Sequence, residues 1–162
     1  MTKIDFYILP QDDIRQRHLF ACRLAEKAYK LGHPIYIHSD DEAQARALDD
    51  LLWRFRDSSF IPHSLLSSSQ EPGASCGDAV QIGYAETIDT AHAADGLLIN
   101  LSNTVPEFFS RFERVSEVVV QQPHILESTR ANYRFYKDRG YQLTSHDLSK
   151  RSSDTPTAPR HE

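Results

Sequence analysis

The 162-residue sequence predicts an α/β fold, a mostly parallel sheet with helices on both faces, on three observations. Strand-like and helix-like segments alternate from the start: KIDFYIL, a long amphipathic stretch, PIYIH, then a second amphipathic stretch. That order implies right-handed crossovers between parallel strands. GLLINL at 96–101 is almost continuously apolar, as a central strand covered on both faces should be. Glycines follow the first and last long helical stretches, at Gly32 and Gly140, where a helix commonly stops.

Lys3 to Leu9 reads as a strand because β-branched and aromatic residues dominate it and Pro10 closes it. From Asp12 to Leu31, Ile14, His18, Ala21, Cys22, Ala25, Ala28 and Tyr29 fall near one helical face. Pro34 to His38 is the second strand. Ser39 then stands as the cap of the next helix, with Glu42 returning the bond, and Ala47, Leu48, Leu51 and Leu52 form its apolar stripe. Residues 66–77 are Ser-rich, with Pro72 and Gly73, and read as an exposed loop. Ala79 to Tyr84 and Gly96 to Leu101 are short buried strands, joined through a polar connection at 89–95. Pro106 to Phe112 is a short helix with Pro at a permitted position, and Val115 to Val120 a further buried strand. Pro123 to Arg139 is the last long helix, and Tyr141 to His146 an added edge strand. No internal repeat appears. Residues 1–148 read as one domain, and the polar, Pro-containing 149–162 as a disordered tail.

The net charge of −5 argues against a general nucleic-acid binder, which carries a basic excess. The opening MTKIDFYIL lacks the apolar run of a signal peptide, and no run is long enough for a bilayer span. The two cysteines, Cys22 and Cys76, form no disulfide framework, so the expected compartment is the cytoplasm. Cys22 fits a small core residue.

Little in the sequence supports catalysis. The first turn, PQDDIRQ, has no glycine for close approach to a phosphate, and Asp12 and Asp13 would repel one at the following helix terminus. No GxxxxGK[ST], no GxSxG and no zinc-ligand cysteine pair occurs, so no cofactor and no metal is expected. Two other stretches stand out. After the second helix, Trp53, Phe55, Phe60, Ile61 and Pro62 follow almost at once, with His63 behind them; such a cluster is either core or a partner surface. On the last helix, Arg130, Arg134 and Lys137 recur at spacings of four and three, with Tyr133 and Tyr136 beside them. That stripe is either a solvated face with snorkelling stems, or a site for an anionic peptide with an apolar side chain or for a phosphate backbone.

Several segments together resemble the chi subunit of bacterial DNA polymerase III holoenzyme. They are FYIL, DDEAQARALDDLLW with FIPHSL after it, DAVQIGY, DGLLINLS followed by PEFF, and RANYRFYKDRGYQL, spread over most of 4–143 in that family's order. The resemblance implies a Rossmann-like fold without a nucleotide-binding fingerprint and a non-catalytic accessory role in DNA replication. It implies two partners, the psi subunit, which tethers chi to the clamp loader, and the acidic C-terminal tail of single-stranded DNA-binding protein. Psi contact falls on Trp53, Phe60, Pro62 and His63. Tail contact falls on Arg130, Tyr133, Arg134 and Lys137. No strong direct nucleic-acid contact and no membrane contact are expected. The competing reading is an α/β nucleotide-binding regulator or enzyme with an unrecognised site.

Overall fold

The structure, a computed structural model, describes residues 2–54, 63–65, 80–84 and 96–148, with the backbone alone for 63–65. The Ser-rich 66–77 stretch, the 89–95 connection and the tail from Ser149 lie outside the described residues, as do Phe55, Phe60, Ile61 and Pro62.

The elements run β1 (Lys3–Ile8), α1 (Ile14–Lys30), β2 (Ile35–His38), α2 (Glu42–Arg54), β3 (His63–Leu65), β4 (Val80–Gly83) and β5 (Leu97–Asn100). A 3-10 turn (Glu107–Arg111), β6 (Arg114–Val119), α3 (Pro123–Asp138) and β7 (Gln142–Asp147) complete them. The seven strands form one sheet in the order β3-β4-β2-β5-β6-β1-β7. All six pairings among the described residues are parallel, as the expected mostly parallel sheet requires. The edge strand expected at 141–146 is β7. β3 was not expected, since HSL carries no alternation and follows a proline; among the described residues it pairs on one side only, with β4.

Side-chain alternation along β1 separates the two helical layers. Phe6 meets Tyr133 and Tyr136 of α3, at ring separations of 5.3 and 6.0 Å. Its neighbour Tyr7 points the other way and packs on Phe20 of α1, at 5.2 Å. α2 lies beside α1 and over β3 and β4. Helices therefore cover both faces, as the alternation of segments predicts.

α1 approaches the sheet through small buried residues, Ala21, Cys22, Ala25 and Ala28. Burial pushes the Cys22 thiol up to about 12, so it is a packed hydrophobe. Asp13 caps the helix, accepting from the Arg15 N–H at 2.9 Å. α1 and α3 end alike. The Gly32 N–H reaches Tyr29 O at 3.0 Å and the His33 N–H reaches Ala28 O at 3.0 Å; the Gly140 N–H reaches Lys137 O at 3.0 Å and the Tyr141 N–H reaches Tyr136 O at 3.2 Å. Both are Schellman motifs. Gly32 and Gly140 hold the left-handed φ values of 87° and 85° that this motif needs.

α2 differs from expectation at its start. Ser39 is buried and its hydroxyl caps nothing. The chain runs two residues further before turning: Asp41 Oδ1 accepts from the Gln44 N–H, and Gln44 Oε1 accepts from the Asp40 N–H. This reciprocal pair replaces the expected Ser39–Glu42 pair, because Ser39 still belongs to the β2 extension, donating its N–H to Gly83 O at 2.8 Å. Glu42 instead pairs with Arg46 on the surface. Ala45 rather than Ala47 joins Leu48, Leu51 and Leu52 in the core.

Burial lowers both His18 and His38 to about 4. His38, on the α3 face, meets Phe108 edge-on at 5.3 Å. Both rings are neutral at neutral pH. A histidine whose folded pKa is depressed stabilises the fold above its unfolded value of about 6.5, and that contribution is lost as pH falls towards 4. Ring-proton shifts followed by NMR should give midpoints near 4 for both; midpoints near 6.5 would show the rings to be solvated.

Candidate functional site

α3 begins at Pro123, which gives up no needed N–H at that position, after an extended Gln122. Ile125, Asn132 and Tyr136 face inward. Arg130, Arg134 and Lys137 are exposed, and among the described residues no ion pair engages them. Tyr133 lies between the two sets. Its ring leans on Phe6 yet it stays 37% exposed, leaving an aromatic surface beside the cations. The structure thus brings Arg130, Tyr133, Arg134 and Lys137 onto one open face. Guanidinium forks beside a half-open ring can grip carboxylates and an apolar group together. Arg139 does not join them, because its guanidinium sits 4.2 Å over the Phe135 ring.

Tyr136 corrects the sequence reading. It does not flank the stripe; it is fully buried and donates its hydroxyl to Glu117 Oε2 at 2.7 Å. Glu117 is 3% exposed and also accepts from Asn100 Nδ2 at 2.9 Å, with a longer 3.5 Å contact from Asn132 Nδ2. Burial pushes its carboxyl up, while these donors and the Arg17 charge pull the other way. Periodicity did not reveal this cluster. The available signal was a glutamate inside an otherwise apolar strand, SEVVV, beside an asparagine ending LLIN.

Arg17 fills the place where open α/β sheets usually hold ligands, outside the carboxyl ends of the central strands. β5 and β6 pair only as far as Asn100 and Glu117. Beyond that point Leu101 stays bonded to His38 of β2, and Leu9 following β1 stays bonded to Val119 of β6. β5 and β6 therefore part, and Arg17 donates across the gap, from Nε to Val118 O at 2.8 Å and from Nη1 to Leu101 O at 3.1 Å. Asp13 covers the adjacent α1 terminus, where a phosphate would sit. Among the described residues no cluster of His, Cys, Asp or Glu could hold a metal ion, and no helix is long and apolar enough to cross a membrane.

Of the other candidate surface, Trp53 is in the last turn of α2 and is 55% exposed. Phe60 and Pro62 lie outside the described residues, and His63 is described only as the backbone that opens β3.

Residues 1–144 match the family model described as DNA polymerase III chi subunit, HolC. The chain belongs to the DNA polymerase III chi subunit family. Among its relatives, the chi subunit of Pseudomonas aeruginosa is 42% identical over 150 residues, covering 93% of this chain and 99% of the relative. The chi subunit of Escherichia coli K12 is 26% identical over 149 residues, covering 90% and 97%. Membership places this chi-family chain among the accessory subunits of the DNA replication machinery. Two solved structures share its fold at low identity. The C-terminal domain of the DEAD-box protein Dbp5 gives a TM-score of 0.64 at 12% identity, covering 91% of each chain. T4 UvsW gives 0.61 at 10% identity, covering 91% of this chain and 42% of UvsW.

Proposed function

We propose that this chi-family subunit is a non-catalytic bridge in the cytoplasm. One surface, carrying Trp53 with Phe60, Pro62 and His63, docks on a psi subunit of the clamp loader. The other, the α3 face with Arg130, Tyr133, Arg134 and Lys137, holds the acidic C-terminal tail of single-stranded DNA-binding protein. The observation that carries this reading is the exposed α3 stripe, where three cations without ion-pair partners among the described residues flank a half-open tyrosine. Trp53, more than half exposed at the end of α2, supports the first surface. The nucleotide-binding alternative has less support, since Arg17 and Asp13 take up the positions a nucleotide would use.

A bridge requires both partners at once. With psi present in saturating amount, a fluorescent peptide copying the tail should bind as tightly as it does to the free subunit. Trp53→Ala should weaken psi binding by on the order of 2 kcal/mol and leave the peptide unaffected. Competition between psi and the peptide for one surface would refute the bridge.

A further inference from the structure

We propose that Glu117 is a positioning residue for the α3 site: its buried carboxylate fixes the rotation of α3 about its own axis, so that the cationic stripe faces outward. This rests on the reading of α3 as the site for an acidic peptide tail.

Asn132 and Tyr136 stand one helical turn apart, and both reach the same carboxylate, at 3.5 and 2.7 Å. Arg130, Tyr133, Arg134 and Lys137 alternate with them along the helix and stay exposed. At 100° per residue, a rotation of α3 by one position would turn the arginines off their shared face. Apolar packing opposes a full reversal of the helix but tolerates smaller rotations, because one ring or aliphatic chain fills much the same space as another. A buried acceptor with named donors does not, since each misplaced donor would lose its partner away from water.

Glu117 is itself held from the sheet side. Asn100 Nδ2 bonds Oε2 at 2.9 Å, while Asn100 Oδ1 accepts from the Ser102 N–H and hydroxyl at 3.1 and 2.8 Å. Asn100 pairs with Glu117 across β5 and β6, so the acceptor cannot drift relative to the strands. Aromatic contacts fix the far end of the helix: Phe109 meets Phe135, Tyr136 and Tyr141 at 5.8, 5.4 and 5.2 Å. These rings set how close α3 lies to the sheet. Glu117 adds which residues of α3 look inward.

Tyr136→Phe tests the proposal, because it removes the hydroxyl and keeps the ring. The probe is a fluorescent peptide copying the acidic C-terminal tail of single-stranded DNA-binding protein. Tyr136→Phe should weaken it roughly threefold or more while the protein stays fully folded by circular dichroism, although Tyr136 does not touch the peptide. Glu117→Gln should act in the same direction. Leu48→Ala, a destabilising change in α2 on the opposite face, should leave peptide affinity unchanged. Amide shifts along α3 should move in the two network variants and not in the control. Unchanged affinity in Tyr136→Phe and Glu117→Gln, with the wild-type protein binding, would overturn the positioning role. A peptide loss in Leu48→Ala as large as in Tyr136→Phe would overturn it as well, by showing a general effect of stability. A wild-type protein that does not bind the peptide would instead refute the α3 reading on which the proposal rests.

Discussion

Glu117→Ala should destabilise the fold by about 2–4 kcal/mol, because it takes the acceptor away from several buried donors at once. The substitution strands the buried Tyr136 hydroxyl, leaves the Asn132 amide without its 3.5 Å contact, and leaves the Asn100 amide with Thr104 O as its remaining acceptor. Each unsatisfied buried donor costs about 1–3 kcal/mol, but part of the network will relax, so the sum is not expected in full. Domains of this size are stable by only about 5–15 kcal/mol, so the variant should sit near the edge of folding at 37 °C. Urea unfolding checks this. The midpoint should fall with the slope unchanged, and Glu117→Gln should fall less because it keeps one acceptor oxygen. A loss below about 1 kcal/mol for Glu117→Ala would mean that water already solvates these donors.

The second large effect concerns binding. Replacing Arg130 and Arg134 together by Ala should reduce affinity for the acidic tail peptide by on the order of 2–4 kcal/mol, since hydrogen bonds to charged groups contribute about 1.5–3 kcal/mol each and the two overlap in effect. Stability should hardly change, because both side chains are exposed and no ion pair among the described residues engages them. The subunit carries a net charge of −5, so its overall field opposes an acidic ligand and the attraction must be local. Wild-type affinity should therefore fall with rising salt, since the Debye length is only about 8 Å at physiological ionic strength. Calorimetric titration of wild type and double variant at two salt concentrations measures both effects. A double variant that binds as well as wild type would take the arginines out of the site.

The long elements were legible because their patterns repeat. Small apolar residues at helical spacing marked α1, and a continuous apolar run marked β5. Short or polar features were not. β3 has three residues and one neighbour, too little for any period to show. Both Ser39 and Asp41 are good capping residues, and only the sheet bond of Ser39 to Gly83 decides between them. Tyr133 and Tyr136 are three positions apart on one helix, and which one is open depends on Phe6 and Glu117, residues far away in sequence. Arg17 reaches Val118 O and Leu101 O only because β5 and β6 separate at their carboxyl ends. The cationic stripe was readable from spacing alone, since residues three and four apart share one helical face.

The central claim is that the outer face of α3 holds the acidic tail of single-stranded DNA-binding protein. Its most direct test is an amide chemical-shift map of the isotope-labelled subunit titrated with a peptide copying that tail. Saturable shifts should concentrate between Arg130 and Lys137, with Phe6 beneath Tyr133 also moving and the Trp53 end of α2 still. Shifts confined to the Trp53 end, or no shifts at millimolar peptide, would contradict that claim.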